Sequence, residues 1–270
     1  MDNPGESVPA EASTQLQLAL EVIERHLGST LLAVHLYGSA MDGGLKPQSD
    51  IDLLVTVAGR LDETVRKALS LDLLHVSAPP GQSEKLRSLE VTVVVHDEIA
   101  PWCYPPRREL QFGEWLREEI AAGIIAPEAI DIDLAILLTK ARRRSIALVG
   151  PPAEAFFDPV PESDFIAALA DSLKLWNAPP DWEGDAPNVA LTLARIWYSA
   201  ATGGIAPKDV AAEWAIPRLP VDLQSVLLEA RQVYLGKGVD RLASRTDHMA
   251  AFVHYVKCEA AKLLKKRAGN

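Results

Sequence analysis

Three seven-residue segments constrain this chain most: 31–37 (LLAVHLY), 51–57 (IDLLVTV) and 89–95 (LEVTVVV). Each is short, apolar and rich in β-branched residues, so each reads as a strand, and together they read as parts of one sheet. A helical pattern over 61–76 separates the second from the third and ends at Pro79-Pro80-Gly81. The resulting β-α-β alternation predicts an α/β unit with a mixed sheet. Ahead of it, 13–27 repeats apolar residues at helical spacing and meets a stop at Gly28.

From Glu109 onward the spacing becomes helical, over 110–122, 130–147, 163–176, 189–201, 207–215, 221–234 and 247–266. No further strand is expected. Pro151-Pro152 and the segment 158–161 mark a linker. The expected organisation is an α/β domain over 1–157 followed by an all-α helical domain over 158–270, with a ligand cleft between them.

Charge narrows the partners. The 37 acidic and 27 basic residues give a formal charge of -10, which disfavours a nucleic-acid backbone and draws in cationic small molecules. Cys103 and Cys258 are far apart and suggest neither a disulfide nor a zinc site. The start of the chain lacks the basic and apolar regions of a secretory leader, and no apolar run reaches spanning length. A cytoplasmic protein with no membrane contact is expected. The basic run Lys262–Arg267 suits a helix C-terminus on dipole grounds, and His35 reads as structural rather than as a metal ligand.

The chemistry concentrates around Gly38-Ser39, Ser49 and Asp50-Ile-Asp52. Side chains two apart on a strand share a face, so Asp50 and Asp52 lie together while Ile51 and Leu53 point the other way. Two adjacent carboxylates call for a cation, and hard oxygen ligands beside phosphates suit Mg²⁺ with ATP. A glycine after a strand lets amides approach a phosphate, and Ser39 and Ser49 add hydroxyl donors. Glu90, near the start of the third strand, supplies a third carboxylate if the strands are neighbours. It is the candidate base for attack of a hydroxyl on the α-phosphate. Singly, each residue is equally a turn or a solvated strand end; the joint pattern is what points to nucleotidyl transfer.

Leu36-Tyr-Gly-Ser-Ala40, Gly43-Gly-Leu-Lys-Pro47, Ser49-Asp-Ile-Asp-Leu-Leu-Val55, Leu89-Glu-Val-Thr-Val93, Pro101-Trp-Cys103, Gln111-Phe-Gly-Glu-Trp-Leu-Arg117 and Leu191-Thr-Leu-Ala-Arg-Ile-Trp-Tyr198 together resemble the aminoglycoside (3'')(9) adenylyltransferases, within the polymerase-β-like nucleotidyltransferase superfamily. The resemblance implies transfer of AMP from ATP to streptomycin and spectinomycin, with release of pyrophosphate and resistance as the outcome. It implies that Asp50, Asp52 and Glu90 hold magnesium, as two ions, and that Glu90 is the base. Ser39, Ser49, Arg195, Lys208 and Tyr234 would bind ATP, and Trp115, Trp176, Asp181 and Asp185 the antibiotic. A monomer is expected.

Carboxylates and indoles suit a ligand bearing guanidinium groups or amines. In the family a Trp followed five residues later by an Asp goes with acceptance of streptomycin; here these are Trp176 and Asp181. Pro179, Pro180 and Trp182 depart from the family pattern around Asp181, which makes spectinomycin the firmer substrate. On residue type alone, tryptophans at helical positions are more often core than ligand, and Arg195 needs either a phosphate or a carboxylate. Lys208 follows Pro207 at a helix start, where a cation is unfavourable without an anion. The competing readings are an enzyme that adenylylates a protein hydroxyl, and a nucleotide-sensing module without turnover.

Overall fold

The protein is described by a computed structural model covering residues 8–47 and 49–269. Residues 1–7, on which the argument against a secretory leader rests, lie outside the described residues. The elements in chain order are α1 (Ala10–Leu27), β1 (Leu31–Tyr37), β2 (Ile51–Val57), α2 (Glu63–Leu73), β3 (Leu89–Val95), α3 (His96–Ile99), β4 (Arg107–Arg108), β5 (Leu110–Phe112), α4 (Arg117–Ala121), β6 (Ala129–Ile130), α5 (Leu134–Arg143), β7 (Ile146–Val149) and α6 (Ala153–Phe156). Then follow α7 (Glu162–Ser172), α8 (Ala186–Thr202), α9 (Lys208–Ala215), α10 (Val221–Tyr234) and α11 (Thr246–Ala268). The chain forms two compact units, the first reaching Val160 and the second taking Pro161 onward together with Lys46 and Pro47.

In the first unit a mixed five-stranded sheet runs in the order β5-β3-β2-β1-β7. Only β2 and β3 are parallel, as the crossover through α2 requires; β1 pairs antiparallel with both β2 and β7, and β5 antiparallel with β3. Alternation along the strands supplies two cores. Ile51, Leu53, Val55 and Val57 join Leu16, Val22, Ile23 and Leu27 of α1 and Leu69 and Leu73 of α2. On the opposite face Tyr37, Leu54 and Val94 meet Leu134, Leu138 and Ala141 of α5 and Phe157. Burying each large aliphatic side chain contributes about 1.5–3 kcal/mol.

The three expected strands appear with the bounds read from the sequence, but two expected helices do not. The 110–122 stretch opens as β5, because Leu110 and Phe112 complete the open edge of β3, and only Arg117–Ala121 is α-helical. The 130–147 stretch is helical over Leu134–Arg143 only; Ile146–Val149 pairs with β1. Local helical spacing yields in both places to an unpaired sheet edge that needs partners for its N–H and C=O groups. A separate two-stranded pairing joins β4 to β6, so the expectation of no further strand from Glu109 onward is overturned by β5, β6 and β7.

His35 is fully buried, and its Nε2 lies 2.9 Å from the Pro151 carbonyl among Phe156 and Phe157. It is a structural residue, as expected. The second unit is built around α8, which packs on α7, α9, α10 and α11 through Val189, Leu193, Ala194, Ile196 and Trp197. At its far end Arg267 of the basic run pairs with Glu162 at 3.0 Å. Among the described residues no helix is long and apolar enough to cross a membrane.

One buried charge ties α2 to β5. Glu109 is 1% exposed, accepts from the Leu61 N–H at 2.8 Å and pairs with Arg66 at 2.8 Å. Burial pushes its carboxyl above the ordinary range, with the Leu61 N–H and Arg66 opposing the shift. Arg66→Met keeps the apolar stem but strands this carboxylate, so it should destabilise the protein by about 3 kcal/mol; chemical denaturation checks the value, with Glu109→Gln in the same background recovering part of the loss.

Candidate active site

The first cluster follows from strand register. In the parallel β2–β3 pair Asp52 lies directly beside Glu90, and across the antiparallel pair Asp52 faces Tyr37. Asp50 stands one residue ahead of β2, and its carbonyl accepts from the Ser39 hydroxyl at 3.4 Å. All three carboxylic residues are half-buried, while Ile51 and Leu53 are fully buried on the other face. The strand periodicity read from the sequence therefore holds for Asp52 against Ile51 and Leu53, while Asp50 lies outside the strand.

Gly38 opens the short turn Gly38–Ala40 that follows β1, with φ at +70°. A side chain there is excluded twice. The left-handed backbone favours glycine, and a Cβ would stand 1.9 Å from Asp52 Oδ2. Asp52's carboxylate thus lies against the bare backbone of the turn carrying Ser39. Ser49 is buried, 7% exposed, just ahead of β2, and its carbonyl accepts from Arg87 at 3.4 Å.

Behind the carboxylates runs a polar network. Gln111 Nε2 donates to Glu90 Oε1 at 3.4 Å, Thr92 donates to Gln111 Oε1 at 3.1 Å, and Arg108 reaches both Gln111 at 3.3 Å and Asp131 at 2.9 Å. The Tyr37 phenol is 3% exposed. Burial first, then the charges of Glu90 and Asp52, push its pKa well above the ordinary value. Tyr37 therefore stays protonated at neutral pH and adds no third negative charge to the pair.

Like charges on neighbouring strands cost energy unless a cation offsets them. The residues fit magnesium in this respect: a carboxylate pair in register, one member nested against a glycine that keeps the approach open. Among the described residues no three His, Cys, Asp or Glu side chains form a ready-made metal cage. The expected three-carboxylate grip is accordingly not preassembled. Mg²⁺ commonly takes one or two protein carboxylates and completes its shell with waters and phosphates, which a pair with Asp50 close by in sequence satisfies.

The second cluster belongs to the helical unit. Lys208, first residue of α9, donates to Asn188 Oδ1 at 2.7 Å, and its Nζ lies 5.7 Å from the Tyr234 ring centroid. Asn188 in turn donates to Asp185 Oδ2 at 3.0 Å. Asp185, Asn188, Lys208 and Tyr234 thus form one connected set. Arg195 lies in the middle of α8, half-buried. Asp181 occupies the short turn Pro179–Trp182, where its Oδ2 accepts from the Asn177 and Ala178 N–H groups at 2.6 and 3.0 Å. Those two bonds hold its carboxyl below the ordinary range.

Neither candidate tryptophan is a core residue. Trp176 is half-buried, and Trp115, in the first unit, is 61% exposed with its ring against Gly113, where a Cβ would come within 2.3 Å of the indole.

Known proteins carry the same two units. Residues 17–115 match the family model described as nucleotidyltransferase domain, and 155–259 that described as aminoglycoside adenylyltransferase, C-terminal domain. An Escherichia coli protein named aminoglycoside (3'')(9) adenylyltransferase is 68% identical over 97% of this chain and 99% of its own length. The chain belongs to the aminoglycoside (3'')(9) adenylyltransferase family. A Staphylococcus aureus spectinomycin 9-adenylyltransferase is 42% identical over 88% of this chain and 91% of its own. The crystal structure of a spectinomycin adenyltransferase from Enterococcus faecialis with ATP and spectinomycin superposes with a TM-score of 0.85 at 29% identity, covering 92% of this chain and 99% of that one.

As a member of this adenylyltransferase family the chain contains supporting residues that sequence reasoning did not single out. Gln111 and Thr92 were missed because 110–122 read as a helix; only once Gln111 lies on a strand opposite Thr92 does it reach Glu90. Asn188 had a signal, three residues after Asp185 on one helix face, but its partner Lys208 is distant in sequence. Gly38→Ala is expected to displace Asp52 and lower nucleotidyl transfer by about 100-fold or more, read as pyrophosphate release. Activity within a factor of two of the parent would refute the close approach.

Proposed function

We propose that this enzyme transfers AMP from ATP to a hydroxyl of spectinomycin and of streptomycin, at the 9 and 3'' positions respectively, releasing pyrophosphate and thereby conferring resistance. The observation that carries the reading is the 68% identity, over nearly the whole chain, to a relative named for both positions. The relatives' names specify antibiotic acceptors, so adenylylation of a protein is set aside. The carboxylate register and the glycine turn support the nucleotidyl chemistry.

In this reading the α/β domain binds ATP and magnesium, and the helical domain contributes to both ATP and antibiotic. Asp50, Asp52 and Glu90 hold Mg²⁺, as two ions, which offsets the charge of the triphosphate and of the departing pyrophosphate. Glu90 takes the proton of the attacking hydroxyl, and the Gln111 amide steadies the carboxylate. Ser39 and Ser49 contact phosphates. Arg195 and Lys208 supply cations to the triphosphate, and Tyr234 contacts the nucleotide. The Lys208 ammonium is already oriented by Asn188 and the Tyr234 ring.

Trp115, Trp176, Asp181 and Asp185 receive the drug. Exposed carboxylates at 181 and 185 suit amines and guanidinium groups, and an exposed indole at 115 offers a face for a sugar or a cation. A net charge of -10 favours approach of a polycation. We assign the enzyme to the cytoplasm, as a monomer that binds neither nucleic acid nor membrane.

Purified protein with ATP and Mg²⁺ is expected to release pyrophosphate with spectinomycin and with streptomycin, giving products heavier by one AMP, and to release none with kanamycin or without drug. Absence of release with both spectinomycin and streptomycin would remove the proposal.

A further inference from the structure

Within the segment from Trp176 to Trp182 only Trp182 is buried, while residues 177–181 are exposed. The segment forms one wall of a cavity of about 800 Å³ in the helical unit, whose opposite walls are α7 and α11. A turn lying over a void depends on polar ties for its position. Two sets are present. Asp181 Oδ2 closes the turn on itself through the Asn177 and Ala178 N–H groups, and Lys257 reaches in from α11, donating to the Trp176 carbonyl and, at 2.9 Å, to Asn177 Oδ1.

Lys257 is suited to this task. Its stem lines the apolar cavity while its ammonium meets the turn. Burial lowers its pKa and the nearby Asp181 opposes that shift, as expected for an amine drawn inward toward specific acceptors. Asn177 also donates to the Lys174 carbonyl at 2.7 Å, so one side chain joins the end of α7, the turn and α11. Both N–H bonds to Asp181 fall on Oδ2, and Oδ1 takes part in neither. The plane of that carboxylate, and hence the direction of Oδ1, is set by the turn.

We propose that Lys257 is a positioning residue for acceptor choice: by anchoring Trp176 and Asn177 to α11 it fixes the Trp176 indole and the Asp181 carboxylate for the larger, guanidinium-bearing drug, streptomycin. This rests on the antibiotic reading given above. The lysine is thus assigned to one acceptor and not to the other. Lys257 is assigned no contact with the nucleotide or with the reacting atoms.

The test combines kinetics with a readout that needs no drug. Lys257→Met is expected to raise the KM for streptomycin about tenfold while leaving the KM for spectinomycin and for ATP within about twofold. The Asn177 and Ala178 amides should exchange with deuterium faster in that variant, and Lys257→Arg, which keeps a cationic donor on a long stem, should restore part of both effects. Equal losses with the two drugs, or unchanged kinetics with both, would overturn the proposal. So would unaltered exchange at Asn177 and Ala178, whatever the kinetics. Should the parent enzyme use neither drug, the acceptor assignment fails with the antibiotic reading, and the exchange data still decide the anchoring. If Lys257→Met does not fold, Lys257→Gln replaces it in the same measurements.

Discussion

Asp52 and Glu90 are held side by side because β2 and β3 are parallel and in register, and the chemistry proposed for the first unit depends on that pairing. A shift of one residue in either strand would turn one carboxylate into a face packed with Ile51, Leu53, Val91 and Val93. The same burial that makes the slip costly makes the pair reliable. Tyr37, across Asp52 from Glu90 and kept protonated by burial and by both charges, and Gly38, which yields its side-chain space to Asp52, complete the arrangement. The sheet therefore spends its best-specified strands on holding two anions together, an arrangement that only a cation and a phosphate make favourable.

Around the pair the structure adds order without adding charge. Gln111 donates to Glu90 and is itself held by Thr92 and Arg108, so the carboxylate proposed as the base accepts a hydrogen bond from a neutral amide. In the helical unit the logic is similar, with Asn188 standing between the acid at 185 and the base at 208. Neutral amides orient charged groups in both places, leaving the ions' own charges available to a ligand.

What the sequence made legible was whatever local pattern decides. The β-branched segments gave three strands with correct ends, and period two separated Asp52 from Ile51 and Leu53 in advance. Alternation could also anticipate that Glu90 shares a face with Asp52 once the strands are neighbours. What stayed hidden was set by edges and by distance along the chain. Leu110–Phe112 and Ile146–Val149 carry apolar spacing compatible with a helix and become strands only because β3 and β1 each have an open side. Lys257 lies 81 residues from the carbonyl it anchors, and nothing local in either segment announces the other. At Asp181 the turn that carries the two prolines directs Oδ2 back onto its own backbone.

In the proposed reading Asp52 and Glu90 act as one metal-binding unit in the presence of ATP. A double-mutant cycle with Asp52→Asn and Glu90→Gln, read as the affinity of the ATP-loaded enzyme for Mn²⁺ as a spectroscopic stand-in for Mg²⁺, measures that directly. Strong coupling, about 1 kcal/mol or more, is expected, because either neutralisation alone dismantles the shared seat. Two losses that simply add, within about 0.3 kcal/mol, would show that the carboxylates bind independently and would contradict that reading.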